Sequence, residues 1–177
     1  MDNLEQLRYP VGRVQIPDTI SEDQIQGWIA NIEVFPRRVE DEVQGLTDEQ
    51  LKRRYRPDGW TIHQVVNHCA DSHTNSIIRF KWALTEDHPT IKAYQEAKWA
   101  ELDDTTQLPV EDGVALLKSL HKRWVFLLKS LTPEQLERTY VHPEKGQTFN
   151  LKQTICQYDW HCRHHLQHIK NAKENGF

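Results

Sequence analysis

The sequence lacks any apolar run approaching the roughly 18 residues of a membrane span, so it is expected to stay out of the bilayer. It also lacks a basic excess. Lysine and arginine total 22 against 26 aspartates and glutamates, a formal net charge of -4. That balance leaves no electrostatic footprint for nucleic acid or an anionic membrane surface. Cysteine is scarce and odd in number: three in 177 residues, which makes no disulfide framework. The opening stretch MDNLEQLRYP is acidic and polar, unlike a signal peptide or a basic transit sequence. These absences together point to the cytoplasm.

What remains is polar but well supplied with anchors. Hydrophobic residues make up 37% and charged residues 27%, yet there are six Trp, five Tyr and five Phe. Long helices with solvated outer faces account for that mixture, and disorder does not. The length fits one domain, residues 1–177, with a real core. Histidine stands out: there are ten, and His161, His164, His165 and His168 fall close together near the C-terminal end.

Residues 1–20 contain Pro10, Gly12 and Pro17 with little periodicity and read as an irregular lead-in packed on the surface. Ser21 and Gln24 then form a capping box. Ile25, Trp28, Ile29, Ile32, Phe35, Val39 and Val43 follow at helical spacing, with a kink expected at Pro36. The segment LTDEQLKRRY (46–55) has a near-copy in LTPEQLERTY (131–140). Each opens on a Thr N-cap, follows an amphipathic helix, and precedes a Pro/Gly turn and another helix. The helices are expected at about 61–84, 111–130 and 150–174. Residues 85–110 form a long crossover with a short helical piece near Tyr94–Leu102. Short links make antiparallel neighbours, so the pattern is an all-α four-helix bundle with one long crossover and approximate two-fold internal repeat. No extended alternating segment argues for a sheet.

The fourth helix reads YDWHCRHHLQHI (158–169), which holds two overlapping i,i+4 pairs, His161 with His165 and His164 with His168. Such a pair can bring both imidazoles to one ion. On the helical wheel His165 and His161 lie roughly 50° and 90° from the apolar centre, His168 roughly 110° and His164 roughly 150°, towards solvent. His161 and His165 therefore border the interior, where bundles build metal sites. A third ligand is available from His63, His68 or His73 on the second helix. The wheel places His73 on the apolar face and His68 roughly 130° from its centre, and so prefers His73. Cys69, Cys156 and Cys162 are further candidates as ligands or nucleophile. Asp71 and Asp159 are candidates for orienting imidazoles, and Trp82, Trp99 and Trp124 for lining a pocket or interface.

The run RYRPDGWTIHQVVNHCADSH (54–73), RFKWALTED (79–87), the fourth-helix histidines, LRYPVGR and SLHKRW (119–124) together resemble the DinB-like superfamily. They most resemble its YfiT branch, which takes in metal-dependent hydrolases and bacillithiol S-transferases. The resemblance covers nearly the whole chain. It implies a four-helix bundle, a homodimer, and one zinc or nickel ion per chain held by His68, His161 and His165. His73 then becomes a supporting or packed residue. Asn67 and Arg163 stand where the family often has histidine, and neither is a ligand position. The resemblance further implies a small thiol, such as bacillithiol, activated by the metal to attack an electrophile. Hydrolysis by metal-activated water and a metal-binding stress-response module without turnover are the alternatives. Three protein ligands leave coordination positions open, as in catalytic sites, and no carboxylate stands beside the pair as in an HExxH motif.

Overall fold

Four long helices carry the apolar stripes read from the sequence. The computed structural model describes residues 3–144 and 146–177. A short helix, α1 (Asn3–Arg8), occupies the start of the expected lead-in; Met1 and Asp2 lie outside the described residues. Helix α2 (Glu22–Val43) begins at the predicted capping box and continues through Pro36 without a break. Helices α4 (Ile62–Thr85) and α9 (Leu151–Asn175) are capped in the same reciprocal way, by Thr61 with Gln64 and Asn150 with Gln153. Helix α7 (Val110–Lys129) starts after Pro109. Their apolar faces merge into one core running from Ile25 to Ala172, with Ile32, Ile62, Leu117, Trp124 and Ile155 fully buried. Each such side chain contributes about 1.5–3 kcal/mol of burial energy.

The arrangement of neighbours differs from the expectation. Helices α2 and α4 each pack against α7 and α9, so helices joined by the shorter links sit diagonally across the bundle. The reason lies in the links, which are not tight turns. The LTDEQL copy folds as a one-turn helix, α3 (Asp48–Leu51), capped reciprocally by Thr47 and Gln50. The chain then folds back through a loop closed by an antiparallel bridge between Arg54 and Thr61, and α4 starts on the far side of the bundle end from α2.

The second copy repeats this course. It forms α8 (Pro133–Leu136), capped by Thr132 and Gln135 with Pro133 in the first turn. An antiparallel hairpin follows, β1 (Thr139–His142) with β2 (Gln147–Asn150); Lys145, inside the expected turn, lies outside the described residues. No sheet was expected there, because four-residue strands are too short to show alternation. The two-fold repeat extends to hydrogen bonds. Ile62 N–H donates to Arg53 O (3.0 Å), and Leu151 N–H donates to Arg138 O (3.1 Å).

Between α4 and α7 the crossover contains α5 (Glu96–Trp99) and α6 (Asp103–Thr106). It is pinned to β1 by Ile91 N–H to Val141 O (3.0 Å) and Val141 N–H to Pro89 O (2.9 Å). The lead-in is pinned to α9, where Trp160 Nε1 donates to Gly12 O at 2.9 Å. No described helix is long and apolar enough to cross a membrane.

Candidate metal centre

Crossover, hairpin and lead-in enclose the mouth of a cavity of about 760 Å³, whose inner wall is formed by histidines of α4 and α9. His68, His161 and His165 each offer a ring nitrogen, and these atoms lie within 4.8 Å of one another. Ring centroids stand 5.4 Å apart for His68 and His161, 4.8 Å for His68 and His165, and 4.4 Å for His161 and His165. Trp60 covers His68 at 4.6 Å. The one-turn spacing of the α9 pair and the direct packing of α4 against α9 bring these three rings together.

His73, which the wheel preferred, is fully buried and lies outside this group. Both its ring nitrogens face other imidazoles. Its Nδ1 is 2.7 Å from His121 Nε2, and its Nε2 is 3.1 Å from His161 Nδ1. His121 Nδ1 in turn is 2.7 Å from the carbonyl oxygen of Ile32. A carbonyl only accepts, so His121 carries its proton on Nδ1 and its Nε2 accepts from His73. His73 then has a bare Nε2, which accepts from His161 Nδ1–H. The carbonyl of Ile32 thus sets the tautomer of three neutral rings in series and leaves the lone pair of His161 on Nε2. That nitrogen faces Ser72 Oγ at 3.3 Å.

The rings are neutral because they are buried. Desolvation pushes His68 down from 6.5 to about 4, with a further push from His164. His121 also falls to about 4, against a small rise from the Ile32 carbonyl. Desolvation, followed by the neighbouring imidazoles, carries His73, His161 and His165 well below the usual range. Uncharged imidazoles are the form that binds metal, so the donor set fits a divalent ion. His165 Nδ1 is buried without a hydrogen-bond partner.

The same shifts fix a pH dependence. The unfolded chain takes up protons near pH 6.5, but folded His68 and His121 do so only near 4. Between these values the unfolded state binds more protons, so stability falls as pH falls, by up to about 1.4 kcal/mol per pH unit for each ring. Urea midpoints of the metal-free protein are expected to drop steadily from pH 7 to pH 4.5. A flat profile over that range contradicts the burial of neutral histidines.

Comparison with known proteins identifies the family. The family model of the DinB superfamily matches residues 31–169. The chain belongs to the DinB superfamily. A Bacillus mycoides protein provisionally named a metal-dependent hydrolase is 50% identical over 171 residues, 97% of this chain and 98% of that one. A Bacillus cereus protein of the same provisional name is 49% identical over equal coverage. The solved structure of YfiT from Bacillus subtilis is described as a probable metal-dependent hydrolase with an unusual four-helix bundle topology. It superposes with a TM-score of 0.91 at 42% identity, over 93% of this chain and 94% of that one. A mycothiol-dependent maleylpyruvate isomerase matches at TM-score 0.65 and 13% identity, over 82% of this chain and 60% of that one, a likeness of fold alone. The expectation of a metal-dependent DinB enzyme agrees with the names of the nearer relatives.

Within this DinB bundle several sequence expectations are revised. His164 and His168, read as facing partly or wholly to solvent, are buried. Tyr9 of the lead-in approaches His164 at 6.0 Å and Tyr55 of a loop stacks on His168 at 3.8 Å, while Trp160 of α9 itself stacks on His164 at 4.3 Å. With His165 they form a second close group of three imidazoles. A wheel drawn for one helix cannot see a cover supplied by the lead-in. His63 binds Leu108 O instead, at 2.6 Å.

Asp159 accepts from Asn31 at 2.9 Å and from Arg163 at 3.0 and 2.8 Å, and so is spent away from the imidazoles. His73 takes the orienting place for which Asp71 and Asp159 were candidates. Cys69, Cys156 and Cys162 are free and buried, with burial raising each thiol. They stay out of both histidine groups. Of the tryptophans, Trp60 and Trp160 line the cavity, while Trp124 packs in the core. His121 had no expected role. Its signal was present, since it stands between Leu117 and Trp124 on the apolar stripe of α7.

Proposed function

We propose that the protein is a metal-dependent thiol S-transferase in which His68, His161 and His165 hold one zinc or nickel ion beside a small-molecule cavity. The observation that carries this reading is the composition of the centre. Its converging donors are all neutral imidazoles, and the chain's own thiols are buried with raised pKa values. In this reading the nucleophilic sulfur comes from a bound low-molecular-weight thiol and not from the chain's own cysteines. A bound divalent ion supplies the positive charge that ionises a thiol or a water near neutral pH. His73 and His121 hold His161 with Nε2 free for the ion, and Trp60 shields His68. The cavity, at about 760 Å³, has room for a small thiol together with an electrophile. The fold supports the reading by analogy, since a mycothiol-dependent isomerase shares it.

A second reading, hydrolysis by activated water, is favoured by the names of the nearer relatives. One assay separates the two. Protein loaded with nickel or zinc is incubated with a thiol panel and monochlorobimane, and with ester and amide substrates. Thiol-dependent conjugation above background, abolished in His161→Ala, is the expected result. Ester or amide hydrolysis without conjugation transfers the proposal to the hydrolase, and tight metal with neither activity leaves a binding module. Sedimentation of the same sample reads the expected homodimer.

A further inference from the structure

The wall of the cavity along α4 carries a charge that no described carboxylate answers. Arg79 is only 8% exposed. It lines the same cavity as His68 and His161, its Nε is buried without a hydrogen-bond partner, and no described carboxylate pairs with it. Buried guanidinium groups are otherwise found paired, because desolvating an isolated charge costs several kcal/mol. The position is built rather than incidental. His68, Ser72, Ser76 and Arg79 form a polar stripe on an otherwise core-facing helix, all four buried. Ser76 Oγ is also without a partner.

Eleven residues make three helical turns, so Arg79 shares the azimuth of His68 about 16 Å further along α4, and its side chain tilts back towards the His68 end. The charge is felt at His161. Arg8, Arg56 and Lys98 line the cavity as well, against Glu96 and Glu144, so the wall as a whole favours an anion.

We propose that Arg79 anchors an anionic oxygen group, carboxylate or phosphate, of an elongated small molecule whose other end lies at the histidine centre. The guanidinium fork suits two oxygens of such a group, and burial makes the contact strong. This deepens the thiol-transferase reading and narrows its substrate to anionic molecules, but the anchor is testable without metal or turnover.

Metal-free protein is titrated with succinate and with inorganic phosphate, followed by NMR chemical shifts. Wild type is expected to bind at least one of them. Arg79→Gln should weaken that binding about ten- to a hundred-fold, as expected for a lost charged hydrogen bond, and Arg79→Lys should weaken it less. The anion bound more tightly names the group. Arg79→Met provides a reading of the opposite sign: without an unanswered buried charge, the ligand-free protein should melt a few degrees higher. Anion binding equal in wild type and Arg79→Gln, or absent from both, overturns the anchor. So does an Arg79→Met variant that melts lower, which marks the side chain as structural. If the anchor fails while thiol conjugation persists, the transferase reading stands alone; if anions bind and conjugation fails, only the chemistry is wrong.

Discussion

His68→Ala is expected to reduce bound zinc or nickel from about one ion per chain to a small fraction of that, the largest change in metal content among single substitutions on α4. Two remaining imidazoles on one helix cannot close the coordination of an ion that takes three protein ligands in open sites of this kind. His63 does not stand in, because it is turned to the Leu108 carbonyl. His73 does not either, because its two nitrogens are committed to His121 and His161. His73→Ala and His164→Ala should both retain most of the metal when it is supplied in excess. Metal analysis after gel filtration makes the comparison. Loss in His73→Ala with retention in His68→Ala would mean that the wheel chose correctly and the group of three was misassigned.

The second large effect concerns a residue that need not touch the metal at all. His121 sits between the Ile32 carbonyl and His73, and its neutral Nε2 is the acceptor that keeps the His73 proton on Nδ1. In His121→Leu that acceptor is gone, and His73 is free to carry its proton on Nε2, facing His161. The His161 proton then moves to Nε2, the nitrogen the ion needs. Supporting residues of this kind change metal affinity by about ten- to a hundred-fold. His121→Gln is expected to recover most of that loss, because an amide oxygen accepts from His73 while its NH₂ donates to Ile32. Competition against a chelator measures the affinities. Imidazole ¹⁵N shifts of the metal-free protein read the tautomers, which packing alone would leave unchanged. Equal affinity in wild type and His121→Leu would break the link between the carbonyl and the metal.

These expectations rest on features that the sequence discloses unevenly. The long helices were legible because their stripes and capping boxes are local: Ser21 with Gln24 and Thr61 with Gln64 cap the helices that follow them. The repeat was legible for the same reason, since Thr47 and Thr132 each cap the turn that their motif encodes. The diagonal placement of α2 and α4 was not, because it depends on how the one-turn helix and folded-back loop between them pack on the bundle end. His161 and His165 could be picked from α9 alone by their angle to its apolar face. That His68 and not His73 groups with them could not be read, because periodicity measures depth in the core and not which rings meet at a cavity. His164 and His168 were misread because Tyr9, Tyr55 and Trp160 cover them. Tyr9 and Tyr55 come from segments distant in sequence, which no local pattern connects to α9.

In the proposed centre three imidazoles from two helices share one ion. X-ray absorption at the metal edge, on protein loaded with one equivalent of nickel or zinc, tests it most directly when wild type is compared with His68→Ala and with His164→Ala. Three imidazole nitrogens at about 2.0–2.1 Å are expected in wild type, with an unchanged spectrum in His164→Ala and loss of that shell in His68→Ala. A spectrum that changes in His164→Ala and survives in His68→Ala would place the ion in the other histidine group and contradict it.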